Sequence, residues 1–131
     1  MSDTLYKLFL IGAGGFAGSV FRYLASGWVQ GVSGNVGFPY GTFAVNLLGC
    51  FVIGFLSYLA DARGVFSADA RAFVFIGVLG GFTTFSTFGN ETMNLFRDGE
   101  NTYALLNAGG QVVIGLLLVW VGRSAAFLIW R

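Results

Sequence analysis

Charged residues divide this chain into long uncharged stretches. Fourteen uncharged residues separate Lys7 from Arg22, and thirty-eight separate Arg22 from Asp61. Nineteen lie between Arg71 and Glu91, and twenty-two between Glu100 and Arg123. A membrane-spanning helix needs roughly 20 mostly apolar residues. The pattern therefore predicts four transmembrane helices, near 5–28, 40–60, 71–96 and 102–122. The segment GVSGNVGFPYG at 31–41 holds the only proline and several glycines and reads as a loop. Shorter connections fall at 61–69 and 97–101. On this reading residues 1–131 are a single all-α membrane domain, with no soluble domain, linker or internal repeat.

Composition points the same way. Hydrophobic residues make up 56% of the chain and charged residues 10%, against about 25% charged in a soluble domain. Lys7, an apolar run and GAGGFAGS imitate a signal peptide, but one lysine is a weak basic region and cleavage would leave three helices. Net charge is +1, so there is no footprint for nucleic acid. The chain has no histidine, which excludes histidine metal sites and histidine-based catalysis. The single Cys50 cannot form an intrachain disulfide. Lys7, Arg63, Arg71, Arg123 and Arg131 share one side of the predicted bundle, with Arg22 and Arg97 on the other. Nominally that puts both termini in the cytoplasm, on a bias of only five to two. Arg22 is expected within a turn or two of its helix end, where it can snorkel to the interface.

Gly14 and Gly18 form a small-xxx-small pair, widened by Gly12 and Gly15. Such a face permits close helix approach, either within one subunit or between two. The polar residues inside the spans carry the candidate chemistry. Thr42 and Asn46 are four apart in the second helix, as are Asn107 and Gln111 in the fourth, so each pair lines one helical face. The third helix adds the stretch GGFTTFSTFGN at 80–90. Polar groups inside a membrane face the bundle interior or a water-filled cavity. A single such pair is commonly interhelical glue; three polar stripes together favour a pathway. Amides and hydroxyls donate hydrogen bonds, and the only carboxylate near a span is Glu91. A neutral, donor-lined path suits a small anion that must bind and leave quickly.

Within 80–90, Phe85 and Phe88 share a helical face while Phe82 diverges from Phe88. Phenyl rings carry an electropositive edge, which offers an anion a weak uncharged attraction; lipid contact or packing is the plainer role. Gly80 and Gly81 near mid-span weaken the helix, and threonine hydroxyls compete for its carbonyls. A break there frees carbonyls that protein, water or an ion must satisfy.

At this motif the chain resembles the Fluc fluoride channel family, also called CrcB. The resemblance rests on GGFTTFSTF (80–88), VNLLGCFVIGF (45–55) and GAGGFAGSVFRYL (12–24), and covers essentially the whole chain. It implies a fluoride-selective channel rather than an enzyme, passively exporting fluoride across a bacterial inner membrane. It implies an antiparallel dual-topology homodimer with two pores. Phe85 and Phe88 would present ring edges to fluoride, and Asn46 would turn its amide to the ion. Ser86 and Thr87, with Thr42, Asn107 and Gln111, would continue the pathway, with Arg22 and Glu91 near its ends. Carbonyls of Gly80 and Thr83 from both subunits would hold a structural Na+ at the dimer centre. One departure stands out: family fourth helices often carry tyrosine and then serine where Asn107 and Gln111 stand here. The alternative is a small multidrug-resistance-like proton-coupled antiporter. That family needs a carboxylate in its first helix, and residues 8–21 contain none.

Overall fold

A computed structural model describes residues 2–131, and those residues are helical apart from short connections. Helix α1 covers Ser2–Ser33, α2 Tyr40–Arg63 and α6 Asn101–Trp130. Between α2 and α6 the third crossing is assembled from four pieces. They are α3 (Ala68–Arg71), a π-helical segment (Ala72–Leu79), α4 (Gly80–Phe82) and α5 (Phe85–Arg97). Four stretches, Ser2–Ser33, Tyr40–Arg63, Ala68–Arg97 and Asn101–Trp130, are long and apolar enough to cross a membrane.

The helices overrun the apolar windows that announce them. Polar residues can extend a helix into the interfacial layer once its apolar turns are buried in lipid. Thus α1 continues to Ser33 and α6 to Trp130, and the loop expected at 31–41 shrinks to 34–39. Gln30 organises that loop. Its Nε2 donates to the carbonyls of Asn35 (2.6 Å) and Phe38 (3.0 Å), and its Oε1 accepts from Gly41 N (3.0 Å). Phe38 is buried there against Tyr40, Phe43 and Tyr103. Helix α2 ends at Gly64, whose φ of 61° is left-handed and lets its N–H cap the Leu59 carbonyl.

Two helix pairs make up the bundle: α2 lies along α6, and α1 lies along the π segment and α4. Small residues allow both contacts. A Cβ on Gly54 would strike the Val119 carbonyl, and one on Gly122 the Phe51 carbonyl. The Gly14–Gly18 face packs inside the subunit. A Cβ on Gly14 would lie 3.0 Å from Gly77 Cα, and one on Gly18 would strike the Val78 carbonyl. A Cβ on Gly12 or on Gly15 would meet nothing within 4 Å. Between helices in lipid, close van der Waals contact does the work that hydrophobic burial does in water. Replacing Gly18 by valine should therefore separate α1 from the third crossing. We expect a loss of about 2–4 kcal/mol, in the range of severe overpacking, read as a lower thermal midpoint in detergent. Gly12→Val, on the open side of the same helix, is the control and should change it little.

Candidate functional site

The third crossing breaks at Thr83 and Thr84, which are extended (φ −93°, ψ 155° and φ −149°, ψ 117°). The glycine pair that seemed the weak point is helical; Gly80 has φ −63° and ψ −36°. Gly81 is small for another reason, since a Cβ there would lie 2.6 Å from the Gly15 carbonyl. The break falls at the threonines because they supply its new hydrogen bonds. Thr83 donates through both N–H (3.0 Å) and Oγ1 (2.9 Å) to the Leu79 carbonyl, closing the first half. Thr84 is the N-cap of α5: its Oγ1 accepts from Thr87 N (3.3 Å) and bonds Thr87 Oγ1 (3.0 Å).

Asn46 of α2 completes the junction. Thr84 N–H donates to Asn46 Oδ1 (2.9 Å), while Asn46 Nδ2 donates to the Thr84 carbonyl (3.0 Å). The side-chain amide thus pairs with the backbone of one residue at both its polar groups, replacing the helical bonds lost at the break. Gly49, one turn further along α2, leaves room for the Thr83 methyl, which a Cβ would strike.

From Asn46 a line of side chains crosses to α6 and returns. Asn46 Nδ2 donates to Gln111 Oε1 (2.7 Å), Gln111 Nε2 to Asn107 Oδ1 (2.9 Å), and Asn107 Nδ2 to Thr92 Oγ1 (2.9 Å). Thr92 Oγ1 then donates to the Phe88 carbonyl (2.8 Å). Asn107 is 0% exposed. Separately, Thr42 Oγ1 donates to Glu91 Oε1 (2.8 Å), while Glu91 Oε2 is buried without a hydrogen-bond partner among the described residues. Thr92 was not singled out from the sequence, and Thr84 only as one of the hydroxyls at 83–87. Thr92 is one turn beyond Phe88 and lies 8% exposed; a polar residue at i+4 from a candidate site residue was the available signal.

Beside the break lies a cavity of about 390 Å³. Asn46, Gln111, Thr83, Thr84, Phe85 and Phe88 line it, together with Gly80 and Cys50. The rings of Phe85 and Phe88 are neighbours, with centroids 5.6 Å apart and planes inclined at 48°. Phe85 is 82% exposed in the single chain. Ser86 is exposed and Thr87 half-buried on α5. Asn107 and Thr42 stand behind the cavity rather than on its wall.

Arg22 differs most from its expected place. Helix α1 runs eleven residues past it to Ser33, and its Nε donates to the Gly81 carbonyl (3.0 Å). The guanidinium therefore serves the break instead of snorkelling to a membrane surface. Carbonyls at the end of the first half-helix lack helical partners, and a charged donor there outweighs the reach to water. No hydrogen bond among the described residues reaches the carbonyls of Gly80 or Thr83.

A broken crossing, a donor-lined cavity at mid-span and paired aromatic rings define a multi-pass membrane protein with the features of a small ion-conducting protein. The chain matches the family model described as CrcB-like protein, Camphor Resistance (CrcB), over residues 9–123. It is 50% identical over 125 residues to a protein of Elusimicrobium minutum, covering 95% of this chain and 97% of that one. It is 51% identical over 128 residues to one of Chlorobaculum tepidum, covering 98% and 99%. A Thermus thermophilus relative is 47% identical over 116 residues, 88% of this chain and 90% of its own. All three relatives bear the name fluoride-specific ion channel FluC. The chain belongs to the CrcB family. The relatives give no support to the antiporter alternative.

Proposed function

We propose that this protein is a fluoride channel of the bacterial inner membrane, passing the ion down its gradient and acting as no enzyme. The observation that carries the reading is the similarity, over nearly the whole chain, to proteins named for that activity. The chemistry of the cavity fits it. Its wall offers amide and hydroxyl donors and two phenyl rings, which bind a small anion without a fixed charge to detain it. Phe85, Phe88, Asn46, Gln111, Ser86 and Thr87 belong to the pathway on this reading, with Thr42, Asn107 and Glu91 holding its wall.

The working unit we propose is a homodimer of oppositely oriented subunits. Gly80 and Phe85 are exposed on the single chain at the level of the break, with Thr83 half-buried between them. Backbone carbonyls at that depth must meet protein, water or an ion. A second copy applied there would bring two further carbonyls to the Gly80 and Thr83 pair. Such a set of neutral oxygens suits a hard monovalent cation, and Na+ would be held by those carbonyls as a structural ion.

Purified protein in liposomes tests the channel. With a potassium shunt, fluoride-loaded vesicles should empty rapidly and chloride-loaded ones should not. Proton-coupled exchange carrying no net current would contradict a passive pore. Orientation is tested separately: a thiol placed at the C-terminus, with Cys50 replaced, should react with an impermeant reagent from both sides of the membrane. Reaction from one side alone excludes mixed insertion.

A further inference from the structure

A second cavity, of about 470 Å³, opens where the start of α1, the end of α2 and the start of the third crossing meet. That volume falls within the roughly 300–1,000 Å³ of small-molecule sites. Lys7 and Ile11 of α1, Ser57 and Asp61 of α2, and Arg71 and Phe75 of the third crossing contribute to its wall. The wall is graded in polarity. On each element the charged residue is the one nearer the helix end, and the residue one turn deeper is Ile11, Ser57 or Phe75. Ile76, also on the wall, is 60% exposed and leaves an apolar surface at that inner depth.

The charges at the outer end do not cancel. Asp61 is already paired, since Arg123 Nη1 lies 3.5 Å from its Oδ2. Lys7 makes no hydrogen bond or ion pair among the described residues. The Arg71 side chain makes one hydrogen bond, from Nη2 to the Ala60 carbonyl (2.9 Å), and no ion pair. Two cations thus line one cavity without a counter-ion.

We propose that this cavity binds an anionic phospholipid. Its phosphate meets Lys7 and Arg71, which supply charge-assisted donors, and an acyl chain runs inward past Ile11, Phe75 and Ile76. Basic pockets between transmembrane helices suit such headgroups. A free phosphate ion would satisfy the two cations but leave the apolar inner wall uncovered; a phospholipid satisfies both. Lys7 and Arg71 lie a half-crossing away from Gly80 and the break. In the antiparallel dimer proposed above, one such site would face each leaflet. The lipid would bind whichever ion the protein passes.

Native mass spectrometry of the purified protein gives the test, with phosphatidylglycerol and phosphatidylcholine supplied in equal amounts. Phosphatidylglycerol should be retained over phosphatidylcholine, at up to one molecule per chain. A cation beside an anionic membrane surface contributes about fivefold to binding. Lys7→Gln should therefore lower phosphatidylglycerol retention by about that factor and leave phosphatidylcholine unchanged, while Lys7→Arg should keep it. Arg63→Gln removes a cation from the same membrane side that does not line the cavity, and should change retention less than twofold. Equal retention of both lipids by the wild type, a Lys7→Gln effect below twofold, or an equal effect from Arg63→Gln overturns the site. Millimolar inorganic phosphate should not displace the lipid; displacement would assign the cavity to free phosphate instead. Should Lys7→Gln not assemble, wild-type selectivity and the phosphate competition decide.

Discussion

Phe88→Ile should lower fluoride flux by about tenfold or more while the protein still assembles, corresponding to roughly 1.4 kcal/mol or more withdrawn from the ion on the proposed pathway. Isoleucine keeps an apolar, branched side chain of comparable bulk, so packing should survive with a loss under about 1.5 kcal/mol. What it lacks is the electropositive ring edge. The two rings are neighbours, with centroids 5.6 Å apart and planes inclined at 48°. Phe85→Ile is the cleaner companion, since Phe85 is 82% exposed in its own chain and gives up little internal packing. Flux through either variant is read in fluoride-loaded liposomes, with gel filtration reporting assembly. Wild-type rates in both would leave the rings as packing alone.

If the proposed dimer holds a structural Na+, exhaustive removal of that ion, with an organic cation in its place, should dissociate the subunits or abolish fluoride flux. The carbonyls of Gly80 and Thr83 carry no hydrogen bond among the described residues. Brought together from two subunits they would repel one another without a cation. Gly80→Leu sharpens the test. Its backbone is ordinary right-handed helix, and a Cβ would meet nothing of its own chain nearer than the Phe75 carbonyl at 3.8 Å. A lone subunit should therefore tolerate leucine there, and a subunit docked across that face should not. Thr83→Ser keeps the carbonyl and the hydroxyl and should be mild. Full activity after prolonged depletion, together with a functional Gly80→Leu dimer, would remove the grounds for a sodium site.

The four crossings were legible because lipid imposes a length and a polarity on each, and spacing between charges carries both. The pairing of Phe85 with Phe88 was legible because a helix brings i and i+3 to one face. The position of the break was only half legible. Glycine weakens a helix everywhere it stands, but whether the chain parts depends on what waits to bond the loose ends. Here Thr83, Thr84 and Asn46 wait at the loose ends, while Gly81 serves a close packing against Gly15 that leaves no room for a Cβ. The line from Asn46 through Gln111 and Asn107 to Thr92 could not be read in advance. Each stripe was visible on its own helix, but their meeting depends on the rotation of three helices about their axes. The place of Arg22 was not legible because the apolar window understates the length of α1, which runs on to Ser33.

The contact between Arg22 and Gly81 has an electrostatic consequence. Gly81 is the fourteenth residue of the thirty in the third crossing, so a full positive charge is tethered near mid-depth. Arg22 is half-buried there, so mobile salt screens it less than it would at a surface. That charge sits on the α1 side of the break, held to one carbonyl oxygen, so the field it sets up is local to the end of the first half-helix.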